Sequence, residues 1–160
     1  MSTDRIEKSA VLRAPLDRVW RAISDSEQFG TWFGMRVDGP FAAGESLSCA
    51  MTGTAVDDEV AAAQQAHDEQ PFVLHIVAVE PQCYFSFRWN PLAGEQFADL
   101  TTLVEFTLSE VDDGVLLQIV ESGFDALPAD RRAGAFSDNS QGWAEQLKLI
   151  GRYVTAAQWA

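Results

Sequence analysis

Two ionisable residues interrupt strand faces that are otherwise apolar, and they are the chain's best candidates for chemistry. In the run Val115–Phe124, the residues Val115, Leu117, Ile119 and Glu121 fall on one face, because strand side chains alternate. In Phe72–Val79, His75 shares its face with Val73, Val77 and Val79. If both faces look inward, a carboxylate and an imidazole enter apolar surroundings. A buried carboxylate is costly, so Glu121 must hold its proton or find donors. Between Val37 and Asp130 there are 17 acidic residues and one basic residue, Arg88, so few side-chain cations are at hand. A ligand donor or a proton would then meet the carboxylate. In that setting Glu121 can contact a ligand or act as a general base. The plainer reading has it solvated at a cavity mouth, near the strand end, and has His75 bonded to a neighbour's backbone in the core.

Other chemistry is sparse. The second histidine, His67, stands in an acidic stretch, and no metal-ligand spacing exists. G-x-S-x-G, P-loop and G-x-G-x-x-G motifs are missing, so neither metal nor cofactor is expected. Cys49 and Cys83 belong to no C-x-x-C and read as small buried hydrophobes in strands. The net charge of -13 repels phosphate backbones and anionic lipid, which argues against nucleic acid and membrane partners. No apolar run approaches the ~20 residues that span a bilayer. The N-terminal MSTDRIEKSA lacks the apolar core of a signal peptide, so a cytoplasmic location is expected.

The elements that would hold these residues follow from periodicity. Arg5–Arg13 reads as a strand stopped at Ala14-Pro15. Leu16, Val19, Trp20 and Ile23 recur at helical spacing. A second short helix, N-capped by Asp25 or Ser26, carries Phe29, Trp32 and Phe33 and ends at Gly34. Ser46–Thr54, Phe72–Val79, Cys83–Trp89, Thr101–Leu108 and Val115–Phe124 read as strands, the last entered through Asp112-Asp113-Gly114. Gly39-Pro40, Gly44-Glu45, Glu80-Pro81 and the run from Asn90 to Gly94 read as turns. Ala55–Gln70 is acidic and rich in Ala and Gln, suited to a short helix or a mobile insertion at the cavity rim or sheet edge. A final helix from Ser137 to Ala157 places Trp143, Leu147, Ile150 and Val154 on its buried stripe. Within the strands, Cys83, Phe85, Phe87 and Trp89 share one face, and Val104, Phe106 and Leu108 share another. Arg88 and Glu105 fall on the opposite, outer face, where they could pair.

A chain of 160 residues reads as a single domain, 1–160, and a hydrophobic fraction of 47% with 5 Trp and 10 Phe fits a large aromatic core. The fold class expected is α+β: a curved antiparallel sheet of six or seven strands, two short helices after the first strand, and a long C-terminal helix gripped by the sheet. The segments APLDRVWRAISDSEQFGTWF, VEPQCYFSFRW, DDGVLLQIVESGF and GWAEQLKLIGRYV resemble homologues of the Hsp90 ATPase activator, within the START and Bet v 1-like group of helix-grip proteins. The pattern rests on Pro15, Val19 and Trp20 combined with Trp32, and on Gly142-Trp143 followed by Leu147 and Tyr153. The resemblance implies the helix-grip architecture and a hydrophobic cavity between sheet and helix. It also puts a histidine often two positions before Gly123, where this chain has Glu121.

Three functions follow as expectations. The inward aromatic faces favour binding of a small hydrophobic molecule. Trp32, His75, Phe85, Phe87, Trp89, Phe106, Glu121, Trp143 and Leu147 are the candidate ligand contacts. Glu121 with His75 could instead serve a cavity enzyme of cyclase or hydrolase type. The acidic middle segment and the resemblance leave a co-chaperone-like module with a protein partner as the third. The chain would act as a monomer or a homodimer.

Overall fold

In the computed structural model, which describes residues 4–64, 71–92 and 95–156, the chain forms a seven-stranded sheet and four helices. The strands are β1 (Arg5–Leu12), β2 (Met35–Val37), β3 (Ser46–Met51), β4 (Pro71–Glu80), β5 (Tyr84–Trp89), β6 (Thr102–Val111) and β7 (Gly114–Ser122). Their order is β1-β7-β6-β5-β4-β3-β2, and each neighbouring pair is antiparallel. The helices are α1 (Leu16–Ser24), α2 (Ser26–Phe33), α3 (Asp58–Gln64) and α4 (Ala129–Thr155). This is the α+β helix-grip arrangement, with α1, α2 and α4 set against the inner face.

Local chemistry explains the element ends. Asp25 N-caps α2 by accepting from the Glu27 amide at 3.0 Å. Gly34 ends α2 in the left-handed region at φ 100°, where a β-carbon would meet the Gln64 side chain. Helix α4 starts at Ala129, well before the expected Ser137. Pro128 is its N-cap, and Asp130 sits in the first turn where the helix dipole favours an acid. No apolar stripe marks this start, since Ala135 is the one buried residue in the first three turns. The expected end at Ala157 lies outside the described residues. Of the segment Ala55–Gln70, Asp58–Gln64 is helical, and its remainder from 65, including His67, lies outside the described residues.

The register decides what faces inward. Opposed pairs on the inner face run Ile76–Phe87 and Val79–Phe85, then Phe85–Phe106, Phe87–Val104 and Trp89–Thr102, then Val104–Glu121 and Phe106–Ile119. A bulge between Ile76 and Ala78 inserts Val77, which is exposed. Because of it, Leu74, Ile76 and Val79 share the inner face although their spacing is not strictly two. His75 is therefore on the outer face, against the reading that grouped it with the valines.

Much of the space between sheet and helix, where a hydrophobic cavity is expected, is filled by rings. Phe29 lies 4.8–6.4 Å, centroid to centroid, from Trp32, Phe33, Phe41, Phe85, Phe87 and Phe106. Trp32, Phe85, Phe87 and Phe106 are fully buried in this stack.

Candidate functional site

Glu121 is on the inner face, as strand alternation requires, and has no exposed surface. It sits one step diagonally from Thr102 on β6, and Thr102 opposes Trp89 on β5. From the other side α4 brings Asn139 and Trp143, which are four residues apart and so lie on one helix face. All four side chains donate to the carboxylate. The Trp143 indole N–H meets Oε1 at 2.8 Å and the Trp89 indole N–H meets Oε2 at 2.8 Å. Thr102 Oγ1 donates to Oε2, and the Asn139 amide reaches Oε1 at 2.9 Å and Oε2 at 3.1 Å. A carboxylate offers about four lone-pair directions, so these donors saturate it. Among the described residues no Lys or Arg pairs with Glu121. Neutral donors play the part that the sequence reading left to a ligand or a proton.

Above this carboxylate an open cavity of about 90 Å³ is lined by Phe33, Trp89, Asp138, Asn139, Gly142, Trp143 and Gln146. Trp89 and Trp143 lie 5.6 Å apart with their planes at 31°, and Phe33 stands edge-on to both at 6.2 and 6.0 Å. Gly142 leaves the helix side of the cavity open, since a β-carbon there would meet nothing within 4 Å. Gln146 donates through Nε2 to the Phe33 carbonyl at 3.1 Å. The same carbonyl accepts from Gln64 at 2.8 Å, and Gln64 Oε1 in turn accepts from the Thr54 amide at 2.7 Å. Helix α3 is thereby tied to the strand-side end of α2, next to the cavity wall.

The expected contact residues divide accordingly. Trp89 and Trp143 line the cavity, and Glu121 lies beneath them. Trp32, Phe85, Phe87 and Phe106 belong to the packed core, and the Trp32 indole N–H is held by the Ala22 carbonyl at 2.7 Å. His75 is exposed on the outer face, with Nδ1 2.8 Å from Ser46 Oγ. Leu147 is half-buried and lines a separate groove with Ala10, Val11 and Leu12. Arg88 and Glu105 do not pair: Glu105 accepts from the Tyr84 hydroxyl at 2.6 Å, and Arg88 reaches Thr101 at 3.4 Å. The residues that sequence reasoning missed carry readable signals. Thr102 shares the parity of Val104 and Phe106, and Asn139 and Gln146 fall on the helix face of Trp143. The polarity of these residues masks both signals.

Titration elsewhere reflects local packing. Burial pushes the Cys49 thiol up to about 12. Cys83, expected in a strand interior, is exposed in the turn after Gln82. The Val60 backbone N–H, with the Arg152 guanidinium, holds the Asp57 carboxyl below the usual carboxylate range. Burial, reinforced by Glu105, raises the Tyr84 hydroxyl. Among the described residues no helix is long and apolar enough to cross a membrane, and no cluster of His, Cys, Asp and Glu could hold a metal.

A helix-grip sheet with a small aromatic cavity against its C-terminal helix defines the general class. More particularly, residues 13–155 match the family model described as activator of Hsp90 ATPase homolog 1-like protein, and the chain belongs to that family. Among solved structures, protein Ms6760 of Mycobacterium smegmatis is similar at 22% identity and a TM-score of 0.72, over 97% of this chain and 93% of that one. Protein MLL2253 of Mesorhizobium loti matches at 22% identity and a TM-score of 0.69, over 92% and 94%. The Aha1 dimer of Colwellia psychrerythraea matches at 11% identity and a TM-score of 0.66, over 94% and 95%. At these identities the likeness concerns the fold. No curated protein matches the chain.

Proposed function

We propose that the chain binds a small, mainly hydrophobic molecule at the cavity between Phe33, Trp89 and Trp143. The supporting observation is the contrast within one face: the core beneath is filled with rings, whereas this site beside α4 stays open and aromatic. Such a concave site with a few placed polar groups suits a small ligand. Its volume of about 90 Å³ is well below the roughly 300–1,000 Å³ of pockets that enclose a drug-sized ligand. The ligand thus seats one end in the cavity and leaves the rest at the mouth.

The geometry argues against Glu121 as a general base. A base must reach a substrate proton, and this carboxylate is buried, saturated and behind the cavity wall. His75, its supposed partner, is on the other face of the sheet.

The test uses Gly142→Leu, which places a side chain at the cavity mouth from a position where a β-carbon would meet nothing within 4 Å. Replacing a mid-helix glycine also favours the helix by about 1 kcal/mol. Wild-type protein should bind toluene saturably by tryptophan fluorescence. The variant should bind it far more weakly while melting at the same or a higher temperature. Equal toluene affinity in a well-folded variant would place the ligand elsewhere and defeat the proposal.

A further inference from the structure

The first strand has one paired side and one bare side. β1 stands at the end of the sheet order, so its 8 residues pair only with β7. Continuing the register sets Asp4 opposite Gly123, and the Gly123 amide donates to the Asp4 carbonyl at 3.1 Å. Antiparallel ladders alternate, so Ile6, Lys8, Ala10 and Leu12 turn their backbone groups to β7. Arg5, Glu7, Ser9 and Val11 turn theirs to the outer edge. These residues are all exposed, and among the described residues no other segment takes up their backbone groups. The opposite edge is unlike it, since β2 is 3 residues long. A long exposed edge is a template for a further strand.

The charges along this edge are self-complementary. From Asp4 to Lys8 they run minus, plus, neutral, minus, plus, and reading them backwards inverts every sign. A second copy laid antiparallel, Ile6 opposite Ile6, therefore sets Asp4 against Lys8 and Arg5 against Glu7 on both sides of the centre. Arg5 and Glu7 already lie together along the strand, Nε to Oε1 at 2.9 Å, with each side chain 52% exposed. In the pair each would gain a second opposite charge from the other copy. The backbone fits the same register. Arg5 and Glu7 are outward-turned residues, so each Arg5–Glu7 pair can exchange two hydrogen bonds. Other registers that keep this bonding fit worse. Centring on Glu7 or Lys8 sets like charges face to face, and centring on Ser9 opposes Arg5 to Arg13. Centring on Ala10 sets Lys8 against Leu12 and leaves its one ion pair, Glu7 with Arg13, at the strand end.

We infer that β1 is a self-association surface, on which two copies of the chain pair antiparallel about a twofold axis at Ile6 and join their sheets edge to edge. Such an interface is isologous, each Arg5 meeting the other copy's Glu7. Residues 4–8 offer far less than the ~800 Å² per partner of a standard stable interface. The association is therefore weak and concentration-dependent. The net charge of -13 opposes long-range approach, but at 0.15 M salt the Debye length is about 8 Å, so the contact pairs decide. This inference is independent of the ligand-binding reading.

Sedimentation equilibrium at about 0.15 M salt tests it. Wild-type protein should show monomer and dimer in exchange at concentrations up to about 1 mM. Arg5→Glu and Glu7→Arg each turn both Arg5–Glu7 pairs repulsive, and each should weaken association by about tenfold or more. Glu7→Arg also lowers the net negative charge, so a general charge effect would strengthen association there instead. The double variant Arg5→Glu/Glu7→Arg keeps the complementarity with signs exchanged and should dimerise as wild type does. A mixture of the two single variants should form a hybrid dimer, one copy supplying glutamates and the other arginines. Both positions are exposed, so every variant should melt close to wild type. Wild-type protein that stays monomeric at about 1 mM, single variants that associate as wild type does, a double variant that fails to recover, or a mixture without a hybrid would each overturn the inference.

Discussion

Replacing Glu121 by glutamine removes a charge and changes little in shape, and the structure dictates its cost. The carboxylate serves two donors on each oxygen: Trp143 and Asn139 on Oε1, Trp89 and Thr102 on Oε2, with Asn139 shared. A glutamine keeps one oxygen and puts an NH₂ in place of the other. If the NH₂ takes the Oε1 position, Asn139 can rotate its amide to accept, but the Trp143 N–H cannot. If it takes the Oε2 position, the Thr102 hydroxyl can turn to accept, but the Trp89 N–H cannot. Either way one buried indole N–H faces another donor. An orphaned buried donor costs about 1–3 kcal/mol, so Glu121→Gln should lose that much stability. Urea denaturation followed by fluorescence reads it as a lower midpoint at unchanged slope. A neutral or stabilising Glu121→Gln would mean that burying the charge costs as much as its donors return. The reading of the site as a donor cage around an anion would then be wrong.

Other outcomes follow from the same geometry. Trp143→Ala should destabilise by about 3–5 kcal/mol, since it empties a buried ring site against Phe33, Trp89 and Phe106 and strips Glu121 of a donor. A loss below ~1 kcal/mol in denaturation would mean that α4 docks by other residues. An aromatic disulfide reagent at mildly alkaline pH should modify Cys83 in the folded protein and Cys49 only after unfolding, because burial raises the Cys49 thiol to about 12. Two fast-reacting thiols in the native state would contradict that. The Asp57 pKa is depressed on folding, so its contribution is present above the unfolded carboxylate value and lost as pH falls through the folded one. The stability gap between wild type and Asp57→Asn should close over that acidic window, and a gap that widens there would reverse the sign.

Much of this was legible in the sequence, and the failures have physical causes. The strands from Phe72 to Ser122 and the two short helices follow from alternation and capping that local residues specify. Glu121 was found because Leu117 and Ile119 flank it in strict alternation. His75 was misplaced because Phe72–Val79 is nearly continuous in apolar residues. Parity there is ambiguous, and the bulge at Val77 is a tertiary adjustment that no local signal announces. The early start of α4 was invisible because its first turns bury little. Alternation tells which rings point inward and not whether they fill the space they enter. Phe29 and Phe41, from other elements, complete a stack with Phe85, Phe87 and Phe106. That Trp89 and Trp143 send their N–H groups to Glu121 is a matter of three-dimensional convergence.

A ligand that enters between Trp89 and Trp143 must perturb their indole N–H resonances. In ¹⁵N-labelled protein the Trp32 indole, fully buried and bonded to Ala22, serves as the internal reference. Titration with toluene should shift the Trp89 and Trp143 indole signals saturably and together, with Trp32 unmoved. Signals of Trp89 and Trp143 that stay in place while the probe binds, or that move no more than Trp32, would contradict the account.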